Sequence, residues 1–420
     1  MDFPRVPAQS GRPRAGTPHR ILKEAMNEFS QLELCSVLKG NLARNGFVKP
    51  TPVQAKSIPP ALEGRDVVAT AQTGTGKTLA FALPMVQALM QHKTLSASVH
   101  AIILSPTREL AMQINETFKL VAAQTPIRTA VVVGGMDEQR QLKAIRAGAH
   151  VVIATPGRLC DFIDRRLIKL GSVKTLVLDE ADRMLDMGFL PALKLILKNM
   201  PVERQTMLFS ATIEKSVAHL VDSYVKDPVR VTIGSITRPV EQIDLHVYEV
   251  EQDRKARLLR HLIQNEKGSM LVFARTKHGT DRLAKHLGRD GIKAERIHGD
   301  RSQNQRNAAL AGFKKGDFQV LVATDVAARG IHVDGIAHVV NYDLPQVPED
   351  FIHRVGRTGR AGARGVASTF ATRQERSEIR LIEKTISLQL QRQDVPDLGV
   401  EEAPVAREYA PKAKVIAMPP

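Results

Sequence analysis

The stretch Ala71–Thr78, AQTGTGKT, decides the fold of this chain of 420 residues. It follows a short apolar run, Asp66–Thr70 (DVVAT), and precedes a helical pattern over Thr78–Met90. The stretch therefore lies on a strand–loop–helix junction. A glycine-rich turn in that setting cradles phosphates, because backbone N–H groups at the start of the helix point at the anion. Thr73, Gly74, Thr75 and Gly76 form the turn, and the two glycines let the backbone come close. Lys77 supplies a point charge at the β and γ phosphates, and the Thr78 hydroxyl suits magnesium. The usual pattern begins with glycine where this chain has Ala71, so the turn alone leaves a plain glycine-rich loop open.

Outward from this junction, short apolar runs recur, each followed by a helical pattern: 66–71, 100–105, 129–134, 150–155, 175–180 and 206–211. Such alternation reads as a parallel sheet covered by helices on both faces. The pattern pauses at IGSITRPVE (233–241), which contains Gly234 and Pro239, and a second series follows at 244–250, 270–275, 293–298, 319–324, 338–343 and 367–372. The expectation is two α/β lobes, 28–233 and 242–385, joined by a linker at 234–241, with a disordered basic tail at 1–27 and a flexible tail at 386–420. A length of 420 residues also favours two domains over one core.

Composition limits the partners. Hydrophobic residues make up 43% and charged residues 25%, as in a globular protein. The net charge is +16, of which the first 27 residues carry +3 and those from 386 onward −1, leaving +14 on the body. The lobes themselves should therefore hold a polyanion, nucleic acid or an acidic membrane surface. With no Trp and four Tyr, stacking platforms are few, which favours a grip on the sugar–phosphate backbone. Cys35 and Cys160 fit no metal or disulfide spacing and point to a reducing compartment. No run approaches the roughly 20 apolar residues of a membrane span, and Pro4, Pro7, Pro13 and Pro18 break the N-terminus as a transit segment.

A second chemical group stands at the end of the apolar run Thr175–Leu178: Asp179-Glu180-Ala181-Asp182. Ligands of open α/β sheets bind beyond the carboxyl ends of the strands, so these acids should share a crevice with the phosphate turn. Asp179 is then the magnesium-side acid and Glu180 the group that orients an attacking water. Acids at an ordinary helix start are the alternative.

With AQTGTGKT followed by D-E-A-D, the chain resembles the DEAD-box RNA helicase family over roughly Phe29–Thr385. The resemblance implies two tandem RecA-like domains, ATP and Mg2+ as cofactors, and RNA held by its backbone and 2′-hydroxyls. GFVKPTPVQ (46–54) is similar to the Q motif, in which Gln54 would pair with adenine and Phe29 would stack on it. Pro106–Gln113 (PTRELAMQ), Gly134–Gly135 and TPGRL (155–159) resemble its RNA-facing motifs, implying contacts from Pro106, Arg108, Gly134, Gly135, Thr155, Gly157 and Arg158. Thr155 before Pro156 is also a good helix cap, with N–H groups turned outward. Ser210-Ala211-Thr212 resembles the coupling motif, to which Asp182 and His353 belong by the same resemblance. In the second lobe Arg275, Arg306 and Thr324 are the implied RNA contacts. His332 stands where the family commonly has a ribose-binding acid, which puts that contact in doubt.

HRVGRTGR (353–360) has its own physical signal. Arg354, Arg357 and Arg360 are spaced three apart, so on a helix they would repel unless an anion faced them, and Gly356 and Gly359 each cost about 1 kcal/mol of helix propensity. Arg357 and Arg360 match the family's arginine fingers, catalytic partners of Lys77, Asp179 and Glu180. The run 341–362 resembles bacterial RhlE-type members, implying a bacterial cytoplasm and protein partners in RNA processing or ribosome assembly. A clamp that holds RNA with little strand separation, and a DNA-directed motor, remain as alternative readings.

Overall fold

The computed structural model describes residues 26–71, 74–91, 95–233, 243–328, 335–348, 350–359 and 364–398. The first lobe is built on seven strands: β1 Val67–Thr70, β2 Ala101–Leu104, β3 Thr129–Val132, β4 Val151–Ala154, β5 Thr175–Asp179, β6 Gln205–Ser210 and β7 Val229–Thr232. All pair in parallel in the order β3-β4-β2-β5-β6-β1-β7. Strands β1, β2, β4 and β5 are buried along their whole length, as continuous apolar runs covered on both faces must be. One apolar cluster lies on each face of the sheet, with Phe81, Phe118 and Phe209 in one and Phe162, Leu176 and Met184 in the other.

The second lobe repeats the plan with β8 Ile243–Glu249, β9 Ser269–Phe273, β10 Ala294–Ile297, β11 Val320–Ala323, β12 Ile336–Asn341, β13 Gly365–Ala371 and β14 Gln391–Gln393. The order is β10-β11-β9-β12-β13-β8-β14, again all parallel.

Each of the twelve expected apolar runs forms a strand, and each sheet gains one more at an edge. β7 pairs with β1, and β14 pairs with β8. Both are short, and β14 (QRQ) has no apolar residue to betray it. β14 corrects the expected tail: residues just past 386 still belong to the second sheet. The tail at 1–27 is described only from residue 26, and the linker at 234–241 lies outside the described residues. Among the described residues no helix is long and apolar enough to cross a membrane.

A parallel sheet delivers all its carboxyl ends to one edge. In the first lobe that edge carries the phosphate turn after β1, the acids after β5 and Ser210 at the end of β6, which lies between β1 and β5. The corresponding edge of the second lobe is brought against it, with Arg306 reaching Glu109 and Gln303 reaching Arg108 from one lobe to the other.

Candidate functional site between the two lobes

The phosphate turn is shaped by backbone that only glycine adopts without strain. Gly74 and Gly76 have φ of 85° and 86°, and a Cβ on Gly76 would collide with Gln54 Nε2. Helix Lys77–Met90 starts directly from Gly76. Lys77 is buried, and its Nζ donates to the Ala71 carbonyl at 3.0 Å, which folds the ammonium back over the turn. Thr78 is half-buried on the first helical turn, and Thr73 lies outside the described residues.

Gln54 is placed by the helix it caps. Its Oε1 accepts from Thr51 N at 2.8 Å and its Nε2 donates to the Gly76 carbonyl at 3.0 Å, while Thr51 Oγ1 donates to the Thr75 carbonyl at 2.7 Å. The amide expected to read adenine thus also fastens its own helix to the phosphate turn. Phe29 is placed by its backbone and by packing. Its N–H donates to the Val48 carbonyl, and its ring is buried among the apolar residues of the first lobe.

The acids at the end of β5 occupy two electrostatic environments. Asp179 is buried and accepts from the Glu180 N–H at 3.1 Å. Burial, opposed by Lys77 and reinforced by Glu180 and Asp182, pushes its carboxyl up to about 7. A hard divalent cation is the partner that such a carboxylate fits, with the Thr78 hydroxyl on the facing turn. For Glu180 burial works against the charge, but Arg183, then Lys77 and Arg357, hold the carboxyl well below its ordinary range. Arg183 Nη1 lies 2.6 Å from Glu180 Oε2, and both side chains are buried. Glu180 itself sits in left-handed backbone at φ 53°, a strained position for a residue with a side chain and one that clusters at functional sites.

The coupling residues form one hydrogen-bonded knot. Asp182 Oδ2 accepts from the backbone of Ala211 and Thr212, each at 2.9 Å, and from Thr212 Oγ1 at 3.3 Å, while Ser210 Oγ accepts from Asp182 N at 3.2 Å. Two hydroxyls at a strand end carry little information in sequence. Next to Asp182 they lock the acid segment to β6. His353 approaches the same knot from the second lobe, and desolvation and Arg183, opposed by Asp182 and Glu180, hold its imidazole well below the ordinary value of 6.5.

The arginine segment corrects one expectation. Helix Asp350–Val355 ends before Arg357, so Arg354 and Arg357 do not share a helical face. Arg354 turns inward, where Asp325 holds it at 2.5 and 2.6 Å, the Asp343 carbonyl at 2.7 Å, and the Phe273 ring lies under it at 4.9 Å. Arg357 is buried between the lobes, with Nε donating to the His353 carbonyl at 3.1 Å and its charge acting on Glu180. Arg360 and His332 lie outside the described residues.

The residues expected to meet RNA divide into three groups. Arg108, Arg158 and Arg306 come together, close enough that Arg306 and Arg158 both act on the half-buried Arg108 guanidinium, whose pKa is lowered chiefly by desolvation. Gly135 makes room for it: its φ is 70°, and a Cβ there would overlap Arg108 Nη1, while a Cβ on Gly134 would lie 3.8 Å from Arg108 Nη2. Two of these arginines do other work. Arg306 Nη2 bridges the lobes to Glu109 at 2.8 Å, and Arg158 is held by Glu138 at 3.0 Å and Asp161 at 2.9 Å. Pro106 and Thr155 are buried at the ends of β2 and β4, where Thr155 caps helix Pro156–Asp164 without a side-chain bond, and nothing lies within 4 Å of a Cβ built on Gly157. In the second lobe Thr324 follows β11, and Arg275, exposed after β9, pairs with Glu375 at 3.4 Å. Sequence reasoning missed Glu109 and Gln303 as partners across the cleft, because burial of an acid inside PTREL becomes visible only when the lobes meet.

A two-lobed parallel α/β fold with a phosphate turn, paired acids and an arginine from the opposite lobe defines a nucleotide-driven motor. Models of the DEAD/DEAH box helicase and the helicase conserved C-terminal domain match residues 51–220 and 254–362. The DEAD-box ATP-dependent RNA helicase CshA of Geobacillus kaustophilus is 41% identical over 374 residues, 89% of this chain and 79% of that protein. Solved Dbp5 of S. cerevisiae bound to RNA and ADP BeF3 is similar with a TM-score of 0.81 at 31% identity, covering 89% of this chain and 97% of that one. The chain belongs to the DEAD-box family of ATP-dependent RNA helicases. The expected RhlE-type affinity draws no support from these relatives, which bear the name CshA.

A single-site variant of the same yeast protein, bound to Nup159, a Gle1 variant, IP6 and ADP, matches with a TM-score of only 0.60 at 30% identity and 87% coverage of this chain.

Proposed function

We propose that this chain hydrolyses ATP in a site completed only when the two lobes close, and uses that closure to grip RNA and separate short duplexes locally. The observation that carries the reading is the meeting of Arg357 and His353 from the second lobe with Glu180 and Asp182 on the first. Gly74, Thr75, Gly76 and Lys77 hold the phosphates, a role the resemblance gives to Thr73 as well. Gln54 orients the base end and ties it to the turn. Thr78 and Asp179 would hold Mg2+, which neutralises phosphate charge and serves as a Lewis acid. Glu180, kept ionised by its cationic neighbours, orients the attacking water and accepts its proton. Arg357, with Arg360, stabilises charge developing on the γ-phosphate.

RNA lies over the carboxyl ends of β2, β3 and β4 in one lobe and β9, β10 and β11 in the other, held through Arg108, Gly134, Gly135, Thr155, Gly157, Arg158, Arg275, Arg306 and Thr324. Recognition is of backbone and 2′-hydroxyl, so it is largely independent of sequence. The Asp182–Ser210–Thr212 knot transmits the state of the nucleotide to the closure. The bacterial relatives fit a cytoplasmic setting and a place in RNA processing.

The test is steady-state ATP hydrolysis without nucleic acid, with single-stranded RNA and with matched DNA. Stimulation by RNA alone supports the reading, and equal stimulation by DNA overturns the choice of substrate. RNA-stimulated hydrolysis that opens no short duplex would identify an ATP-gated clamp instead.

A further inference from the structure

Helix Lys277–Arg289 begins two residues after Arg275, from the carboxyl end of β9. It packs against β10 and β11, so it lies beneath the strands that lead to Arg306 and Thr324. Its apolar face, Leu283, Ala284 and Leu287, enters the core. Its exposed face places His278, Arg282, Lys285 and Arg289 at spacings of four, three and four. That spacing aligns them in one stripe, about 16 Å long at 1.5 Å per residue.

The helix has one acid of its own, Asp281, and a second at its C-cap, Asp290, to neutralise such a stripe, and both are engaged elsewhere. Asp281 is held by Arg296 at 2.5 Å and His298 at 3.2 Å, on the β10 side. Asp290 is shared by Arg260 at 3.6 Å and His286 at 3.7 Å. Among the described residues no carboxylate lies within ion-pair distance of Arg282, Lys285 or Arg289. Like charges three and four apart destabilise a helix, whereas Arg165, Arg376 and Arg392 on other exposed surfaces are each paired to a carboxylate. A row of cations without an ion-pair partner among the described residues, starting at the RNA-facing edge, is arranged for a run of phosphates.

We propose that Arg282, Lys285 and Arg289 form an extension of the RNA path, which takes the sugar–phosphate backbone of the RNA flanking the segment held between the lobes. This rests on the RNA-helicase reading. The stripe adds affinity for long RNA without touching the nucleotide site, and it contributes through counterion release, independent of sequence.

The test is RNA affinity in the presence of a non-hydrolysable ATP analogue, over a range of salt, for the full chain and its R282Q/K285Q/R289Q variant. Two probes are used, an RNA of about six nucleotides that fills only the cleft and one of about twenty. The expected result is unchanged affinity for the short RNA, at least a fivefold loss for the long one, and a salt slope shallower by about 2, as three single-strand contacts at about 0.7 each require. Unchanged affinity for the long RNA would overturn the proposal, and so would an equal loss on both lengths, which would place the effect in the cleft. Failure of the unaltered chain to bind either RNA would instead remove the helicase reading beneath it.

Discussion

Arg306 of the second lobe lies 2.8 Å from Glu109 of the first, in an ion pair whose side chains are 14% and 5% exposed. Gln303 reaches the same carboxylate at 3.2 Å and accepts from Arg108 at 3.3 Å. The contact joins the two lobes, so it should add to closure and not to the stability of either lobe alone. Glu109→Gln leaves Arg306 buried without its counter-charge, a change costly in such sites. RNA affinity measured with a non-hydrolysable ATP analogue should fall at least tenfold, about 1.4 kcal/mol. The melting temperature of the free protein should move little.

Glu180 is the group for which chemistry and binding should separate. Removing a general base costs about 10²–10⁴ in rate. Glu180→Gln keeps the shape beside Arg183, so ATP and RNA should still bind while turnover falls by at least a hundredfold. Lys77→Ala should instead abolish nucleotide binding, which equilibrium titration with a fluorescent ATP analogue distinguishes.

Closure should depend on pH through His353. In the closed form desolvation and Arg183 hold its pKa below the ordinary 6.5, so that form binds fewer protons than the open one. The stabilisation is complete above about pH 6.5 and is lost as pH falls below it. RNA affinity with a non-hydrolysable analogue should therefore decline from pH 7 to 5.5, and His353→Gln should flatten that decline.

Gly135 tests the packing of the RNA-facing arginine. A Cβ at φ 70° brings left-handed strain of about 1–2 kcal/mol, and it displaces Arg108 Nη1. Gly135→Ala should lower the melting temperature by several degrees and weaken RNA binding beyond what that loss of stability explains.

Much of this is legible in the sequence because it rests on local rules. The apolar runs have to be buried strands, and the Gly74–Gly76 turn at a strand–helix junction has to face an anion. What stays hidden depends on contacts between distant segments. β14 is a polar edge strand recruited by β8. Arg354 and Arg357 look alike in HRVGRTGR, yet Asp325 takes the first and the opposite lobe takes the second. The resemblance assigns the ring of Phe29 to a base, and its burial among the apolar residues of the first lobe is visible only in the fold. Spacing also gives no sign that Gln54 is fastened to the Gly76 carbonyl.

The central claim is that ATP and RNA each favour the same closed arrangement, in which Arg357 and His353 complete the first lobe's site. Linkage makes that claim reciprocal. The most direct measurement is a thermodynamic square: RNA affinity with and without a non-hydrolysable ATP analogue, and analogue affinity with and without RNA. The account predicts tightening by the same factor on both sides, at least tenfold, and its loss in Glu109→Gln. An RNA affinity indifferent to the analogue would contradict it.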